Sequence, residues 1–132
     1  MMIVAPNAGE CPGRALFRAA GREFDEPVDF LWRTHGGKVV GGWAYTGKTA
    51  DTVQMHIAGE RGWLSTEAIR TGFEYPFDVL GTKVIIAAIP GADNPVLKIA
   101  VGLGFTVFGR LEEVDLQLLK MSRAMCRWIT RG

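Results

Sequence analysis

The sequence predicts an α/β chain of the α+β kind, a mixed and mostly antiparallel sheet with a central parallel strand–helix–strand unit and helices on both faces. Three observations lead there. Residues 52–58 alternate, with Val53, Met55 and Ile57 on one side and Gln54 and His56 on the other, the period of a strand. Residues 64–80 carry Ile69, Phe73, Phe77 and Leu80 at i, i+4, i+8 and i+11, a helical stripe, and residues 83–89 are an unbroken apolar run of strand length. Together the three have the length of a crossover unit, which makes its strands parallel, while hairpins make the other pairs antiparallel.

Taken in order, Ile3-Val4 reads as a short first strand, residues 6–13 as a loop, and residues 14–24 as a helix with Leu16, Phe17 and Ala20 at helical spacing. Phe30-Leu31-Trp32 and Val39-Val40 flank His35-Gly36-Gly37-Lys38, a hairpin whose two glycines supply the positive φ angles of a primed turn. Gly41-Gly42 predicts a bulge before Trp43-Ala44-Tyr45. Residues 59–62 form a loop, and Ser65 or Thr66 caps the 64–80 helix. Pro76 removes the hydrogen bond to the Gly72 carbonyl, so a kink is expected there, and Gly81 ends the helix. The uninterrupted run at 83–89 predicts a strand covered on both faces. Asn94-Pro95 opens the next helix as N-cap and first helical residue, and Gly102 and Gly104 close it. Strands at 105–108 and 116–121 follow, then a short helix at 122–129.

Bulk properties narrow the function classes. A chain of 132 residues favours one domain, and 15 Lys+Arg against 14 Asp+Glu give a net charge of +1. That balance argues against holding nucleic acid or a membrane surface by bulk charge. No apolar run reaches membrane-span length, and residues 1–6 are too short for a signal-peptide core. Cys11 and Cys126 have no C-x-x-C spacing and fit free thiols in a reducing compartment. His35 and His56 form no ligand cluster, so no metal is expected.

Four motifs in order around the crossover unit carry a resemblance: Arg61-Gly62, Thr66-Glu67-Ala68-Ile69, Asp93-Asn94-Pro95 and Leu103-Gly104-Phe105. Over about residues 30–129 the chain resembles the GNAT N-acetyltransferase family, and residues 55–127, including Phe73-Glu74-Tyr75-Pro76-Phe77, look closest to small GNAT-like proteins encoded by bacteriophages. The resemblance implies a single GNAT-like domain over residues 1–132 with a shortened N-terminal region. It implies acetyl-CoA as a substrate and direct acetyl transfer to an amine of a small molecule or protein. A cytoplasmic setting follows, in the host cytoplasm or the virion if the chain is phage-encoded.

By the same resemblance, the pyrophosphate of acetyl-CoA lies at the start of the 64–80 helix, against Gly59, Glu60, Arg61, Gly62, Trp63, Ser65 and Thr66, where outward amides suit an anion. Pantetheine pairs with the strand at Met55 and Ile57, in a splay between the parallel strands, and Asn94 contacts the cofactor arm. Leu64 stands where the family's loop has Gly or Ala, and Ala100 where the family often has a tyrosine acid. These departures support the alternative of a GNAT fold kept as a structural or interaction protein without turnover.

The candidate base is His56, on the strand bordering the transfer site with a pKa expected near neutrality; the plainer reading is a strand histidine in polar contacts. Glu60 is a base acting through water or a solvated loop carboxylate, and Glu112-Glu113 an amine collector or a charged turn. Cys126 reads as a buried thiol rather than a nucleophile. Trp63, on a loop, could stack an adenine ring, whereas Trp32, Trp43 and Trp128 read as core. Lys120, Arg123, Arg127 and Arg131 would align on one helix and touch RNA, but Lys120 falls on a strand and a solvated face is preferred. The reduced N-terminal half predicts a homodimer, in which a second copy completes the acceptor side or covers a sheet edge.

Overall fold

Alternating and β-branched segments joined by glycine turns build a sheet of seven strands, and the computed structural model describes residues 2–129 of it. In chain order the elements are β1 (Met2–Ala8), α1 (Pro12–Ala19), β2 (Val28–His35), β3 (Lys38–Thr46), β4 (Thr52–Gly59), α2 (Thr66–Glu74), β5 (Val84–Pro90), α3 (Pro95–Leu103), β6 (Thr106–Leu111) and β7 (Leu116–Ser122). The sheet order is β1-β2-β3-β4-β5-β7-β6, with β4–β5 parallel and its other neighbours antiparallel.

Local chemistry accounts for most boundaries. Gly36 and Gly37 have φ of 59° and 79° and close the β2–β3 hairpin as a primed turn. The Ser65 hydroxyl accepts from the Ala68 amide (3.1 Å), and Asn94 Oδ1 accepts from the Val96 amide (2.9 Å), so α2 and α3 are both capped. The kink expected at Pro76 takes the form of a π-helical turn, Tyr75–Val79, that continues α2. Leu80 N–H donates to the Tyr75 carbonyl five residues back, at 2.9 Å. The bulge falls one residue before Gly41-Gly42, since Arg33 pairs with Gly41 and Thr34 with Val39, leaving Val40 extra.

The two sheet faces are covered differently. Under α2 and α3 lies the larger core, with Trp43, Phe73, Phe77, Ile85, Leu119 and Met121 buried. Trp43 donates its indole N–H to the Ala68 carbonyl at 3.0 Å, and Tyr45 its hydroxyl to the Gly72 carbonyl at 2.5 Å, fixing α2 to β3. Gly72 is required there, because a Cβ would lie 2.4 Å from the Trp43 ring. On the opposite face α1 covers β2–β4 through Phe17, Phe30, Trp32 and Ala44.

That covering stops at β4. The strand predicted to be covered on both faces, β5, is buried only through Ile85, Ala87 and Ile89, while Val84, Ile86 and Ala88 on the α1 side are half-buried. Beside them lie half-buried Leu116 and Leu118 of β7 and, on β6, Phe108 and Leu111, 49% and 46% exposed. The apolar run reflects strand composition, and α1 is too short to reach it. The helix predicted at 122–129 is likewise replaced by a short 3-10 turn, Arg123–Met125, and irregular chain. Its polar groups serve other elements: Arg127 donates to the Gly102 carbonyl (2.6 Å) and Trp128 Nε1 to Leu103 (2.7 Å), so they cap the end of α3. Arg131 lies outside the described residues.

Candidate functional site

β4 and β5 pair only at Thr52–Val84, Val53–Ile85 and Gln54–Ile86, although both strands continue to Gly59 and Pro90. Beyond that point β4 stays with β3 and β5 stays with β7, and the sheet opens between them. The gap holds a cavity of about 430 Å³. Its edges carry small side chains, Ala58 and Gly59 on β4 and Ala87 and Ala88 on β5, which leave the opening unfilled. Residues from both sheet faces line it: Phe17, Arg22 and His56 on the α1 side, and Trp43, Trp63 and Ala100 on the side of α2 and α3. The opening therefore passes through the sheet.

Among the candidate residues, Met55, His56, Ile57, Gly59, Trp63 and Asn94 reach this cavity. Glu60, Arg61, Gly62, Ser65 and Thr66 lie outside it, on the loop and first turn leading into α2. That loop is tied down. Glu60 N–H donates to the Val40 carbonyl (2.9 Å), Arg33 to the Trp63 carbonyl (2.6 Å), and Lys38 pairs with Glu60 at 2.9 Å. Trp63 and Ser65 amides close turns within the loop, whereas those of Arg61, Gly62 and Leu64 have no hydrogen bond among the described residues. Leu64 turns its side chain toward the main core.

Two expectations need correction. Trp63 is 6% exposed, edge-on to Trp43 with centroids 5.5 Å apart, so its faces are not offered to an adenine ring. Gly41 and Gly59 make room for it, since a Cβ on either would come within 2.0 and 2.4 Å of the indole. His56 does not titrate near neutrality: burial, and secondarily the nearby Arg22 charge, lower its pKa to about 4. Arg22 donates to His56 Nδ1 at 2.9 Å, and a guanidinium has no acceptor atom, so Nδ1 is the lone-pair nitrogen. Nε2–H then donates to Thr46 Oγ1 at 2.7 Å. Both nitrogens of a neutral ring are engaged.

Asn94 is similarly occupied. Besides capping α3, it donates from Nδ2 to the Pro90 carbonyl at 2.8 Å, tying the end of β5 to the start of α3. Arg22 escaped the sequence reading because it sits in no motif and meets His56 across 34 residues. Its only local signal is Gly21 just before it, a left-handed residue (φ 83°) that turns the chain back toward α1.

No sequence-family model matches the chain, and no curated protein does. Solved structures do match. N-acetyltransferase PseH from Campylobacter jejuni superposes with a TM-score of 0.68 at 9% identity, over 92% of this chain and 98% of that one. The fold is that of the GNAT acetyltransferases. PseH in complex with acetyl coenzyme A matches at 0.62 and 12% identity, over 83% and 76% of the two chains. A variant of the spermidine N-acetyltransferase SpeG from Vibrio cholerae matches at 0.63 and 15%, over 76% and 67%. At such identities the likeness is one of fold, with the opened β4–β5 pair in this chain's own strands.

Proposed function

We propose that the chain is an acetyl-CoA-dependent N-acetyltransferase acting by direct transfer. The observation that carries this is the opening of β4 from β5 into a cavity that passes through the sheet. The likeness to PseH, which was solved with acetyl coenzyme A, supports the same ligand here. In this reading pantetheine extends along the unpaired edge of β4 at Met55 and Ile57, whose backbone offers the hydrogen bonds that β5 does not take. The pyrophosphate rests at the loop before α2, where the free amides of Arg61 and Gly62 and the exposed Arg61 side chain suit an anion. The amine approaches from the α1 side.

Transfer is then a simple displacement. The neutral amine attacks the thioester carbonyl, the C–S bond breaks as the C–N bond forms, and the nitrogen loses a proton as the CoA thiolate gains one. A β4 amide in the splay stabilises the developing oxyanion. His56 is not the base at neutral pH, because its lone pair holds Arg22; it is a positioning residue. The amine's proton leaves through water at the mouth.

Calorimetric titration with acetyl-CoA tests the reading. Saturable heat is expected, with a rise in melting temperature equivalent to about 2.7 kcal/mol at a hundredfold excess over Kd. No heat and no shift at millimolar ligand would exclude it. One observation favours a second reading, a binding protein without turnover: among the described residues Arg22 and His56 are the only titratable side chains lining the cavity, and Ala100 is there in place of an acid. Acetyl-CoA binding without CoA release for any amine would establish that reading.

We further propose that a second copy covers the bare half of the sheet. Lys120, over the Phe108 ring at 5.6 Å, marks one end of that face, and Glu112 and Glu113 in the β6–β7 turn mark the other. A two-fold axis crossing the strands would set each basic end against its partner's acidic end. A relation to small phage-encoded proteins rests on the sequence resemblance of residues 55–127 alone.

A further inference from the structure

The acceptor's chemistry can be read from the α1 side of the cavity, given the acetyl-transfer reading above. Arg22 is placed by the backbone. After α1 the chain turns at Gly21, and the Arg22 amide donates back to the Phe17 carbonyl at 2.8 Å. The side chain then lies along the Phe24 ring, 5.7 Å from its centroid, and reaches the cavity wall beside His56.

A guanidinium carries five N–H donors. One goes to His56 Nδ1, and among the described residues no carboxylate pairs with Arg22. Among the described residues no Asp or Glu lines the cavity. His56, facing it, contributes no charge at neutral pH, and Thr46 behind it is uncharged. Among the described residues, the side from which the amine approaches therefore presents a single cation with donors to spare. A diamine or polyamine would bring a second ammonium against it with no carboxylate to receive that charge. A carboxylate would meet a planar fork matched to its geometry.

We infer that the acceptor is a small amine that also bears a carboxylate, and that Arg22 is the residue that selects it. The spermidine specificity named for one protein of the same fold does not transfer to a cavity without acidic residues. The neutral His56 ring holds the guanidinium toward the cavity while leaving its charge uncancelled, which a carboxylate in that place would not do.

Three amines of matched length separate the alternatives: γ-aminobutyrate, n-butylamine and putrescine, ending in a carboxylate, a methyl group and a second ammonium. Their binding is followed by quenching of tryptophan fluorescence, since Trp43 and Trp63 line the cavity, and their acetylation by CoA thiol release. γ-Aminobutyrate is expected to exceed n-butylamine by about tenfold in affinity or kcat/KM, with putrescine weakest. Arg22→Gln retains a donor for His56 but no charge, and should bring the ratio of γ-aminobutyrate to n-butylamine to about one, with Arg22→Lys in between. Putrescine binding as well as γ-aminobutyrate, an unchanged ratio in Arg22→Gln, or no binding of any of the three would overturn the inference. Failure of the acetyl-transfer reading registers separately, as absent acetyl-CoA binding, while the ranking of amines on the protein alone still decides the role of Arg22.

Discussion

The α1 face of the sheet has two halves built from similar strands and finished differently. Over β2–β4, Phe17 of α1 and Phe30 of β2 meet with no solvent exposure, and Phe24 packs edge-on against Phe17 at 5.6 Å. Over β5–β7 the equivalent positions, Ile86, Ala88 and Leu118, have no helix above them, and Phe108 stands half in solvent. The cavity mouth falls on the line between the halves, with Arg22 and His56 at the edge of the covered one. A mouth needs such a boundary: a helix laid across the whole face would close it, and none at all would leave Arg22 without support.

The largest effect should come from the covered half. Phe17→Ala removes a fully buried ring, the one buried α1 residue in a small satellite core otherwise built by β2, β3 and β4, and should cost about 3–5 kcal/mol. Denaturant unfolding measures it. A loss below about 1 kcal/mol would mean that α1 is weakly docked and that the two halves differ less than they look.

How much of this was legible follows from the range of the signals. The crossover unit, the Asn94 cap, the choice of Ser65 over Thr66 to cap α2, the Gly36-Gly37 turn and the irregularity at Pro76, a π-helical turn where a kink is expected, are decided by residues within a few positions of one another. The coverage of β5 and the fate of residues 122–129 depend on distant partners. An apolar run states that a strand can be buried, not that α1 reaches it, and the spacing of Arg127 and Trp128 gives no hint that they bind the end of α3. The site divides the same way. His56 stands out on its strand, but its pKa is set by burial and by Arg22, both tertiary. Trp63 does lie on a loop, and its burial is hidden from that loop because its seats, Gly41 and Gly59, lie on two strands.

Acid should act at the boundary next. The folded-state pKa of His56 is lowered to about 4, so between its ordinary value and that point only the unfolded chain takes up the proton. The contribution is complete above pH ~6.5 and is lost progressively as the pH falls toward about 4, amounting to roughly 3 kcal/mol at most. His56→Gln should remove most of this slope in unfolding free energy across the window. An unchanged slope would place the acid sensitivity elsewhere.

At the end of β5 beside the cavity, Asn94→Ala deletes the α3 cap and the bond to the Pro90 carbonyl, and should cost about 1 kcal/mol by thermal unfolding. Acetyl-CoA affinity should fall with it through a displaced α3, since Asn94 lines the cavity. An unchanged affinity in Asn94→Ala would detach Asn94 from the site.

The smallest effect on stability belongs to the bare half itself, and there association is the measurement. Lys120→Glu should change the unfolding free energy by less than about 0.5 kcal/mol, because the side chain is exposed and lies over the half-exposed Phe108 ring. It should nevertheless turn a dimer into a monomer by light scattering, since it sets like charges against the partner's Glu112 and Glu113. Glu112→Lys with Glu113→Lys should do the same from the other end. Combining all three reversals restores opposite charges across the axis, so the dimer should return, an outcome that a merely solubilising change would not give. A wild-type monomer at working concentration would remove the second copy from the account, and the apolar face would then stand open beside the cavity in the functional protein.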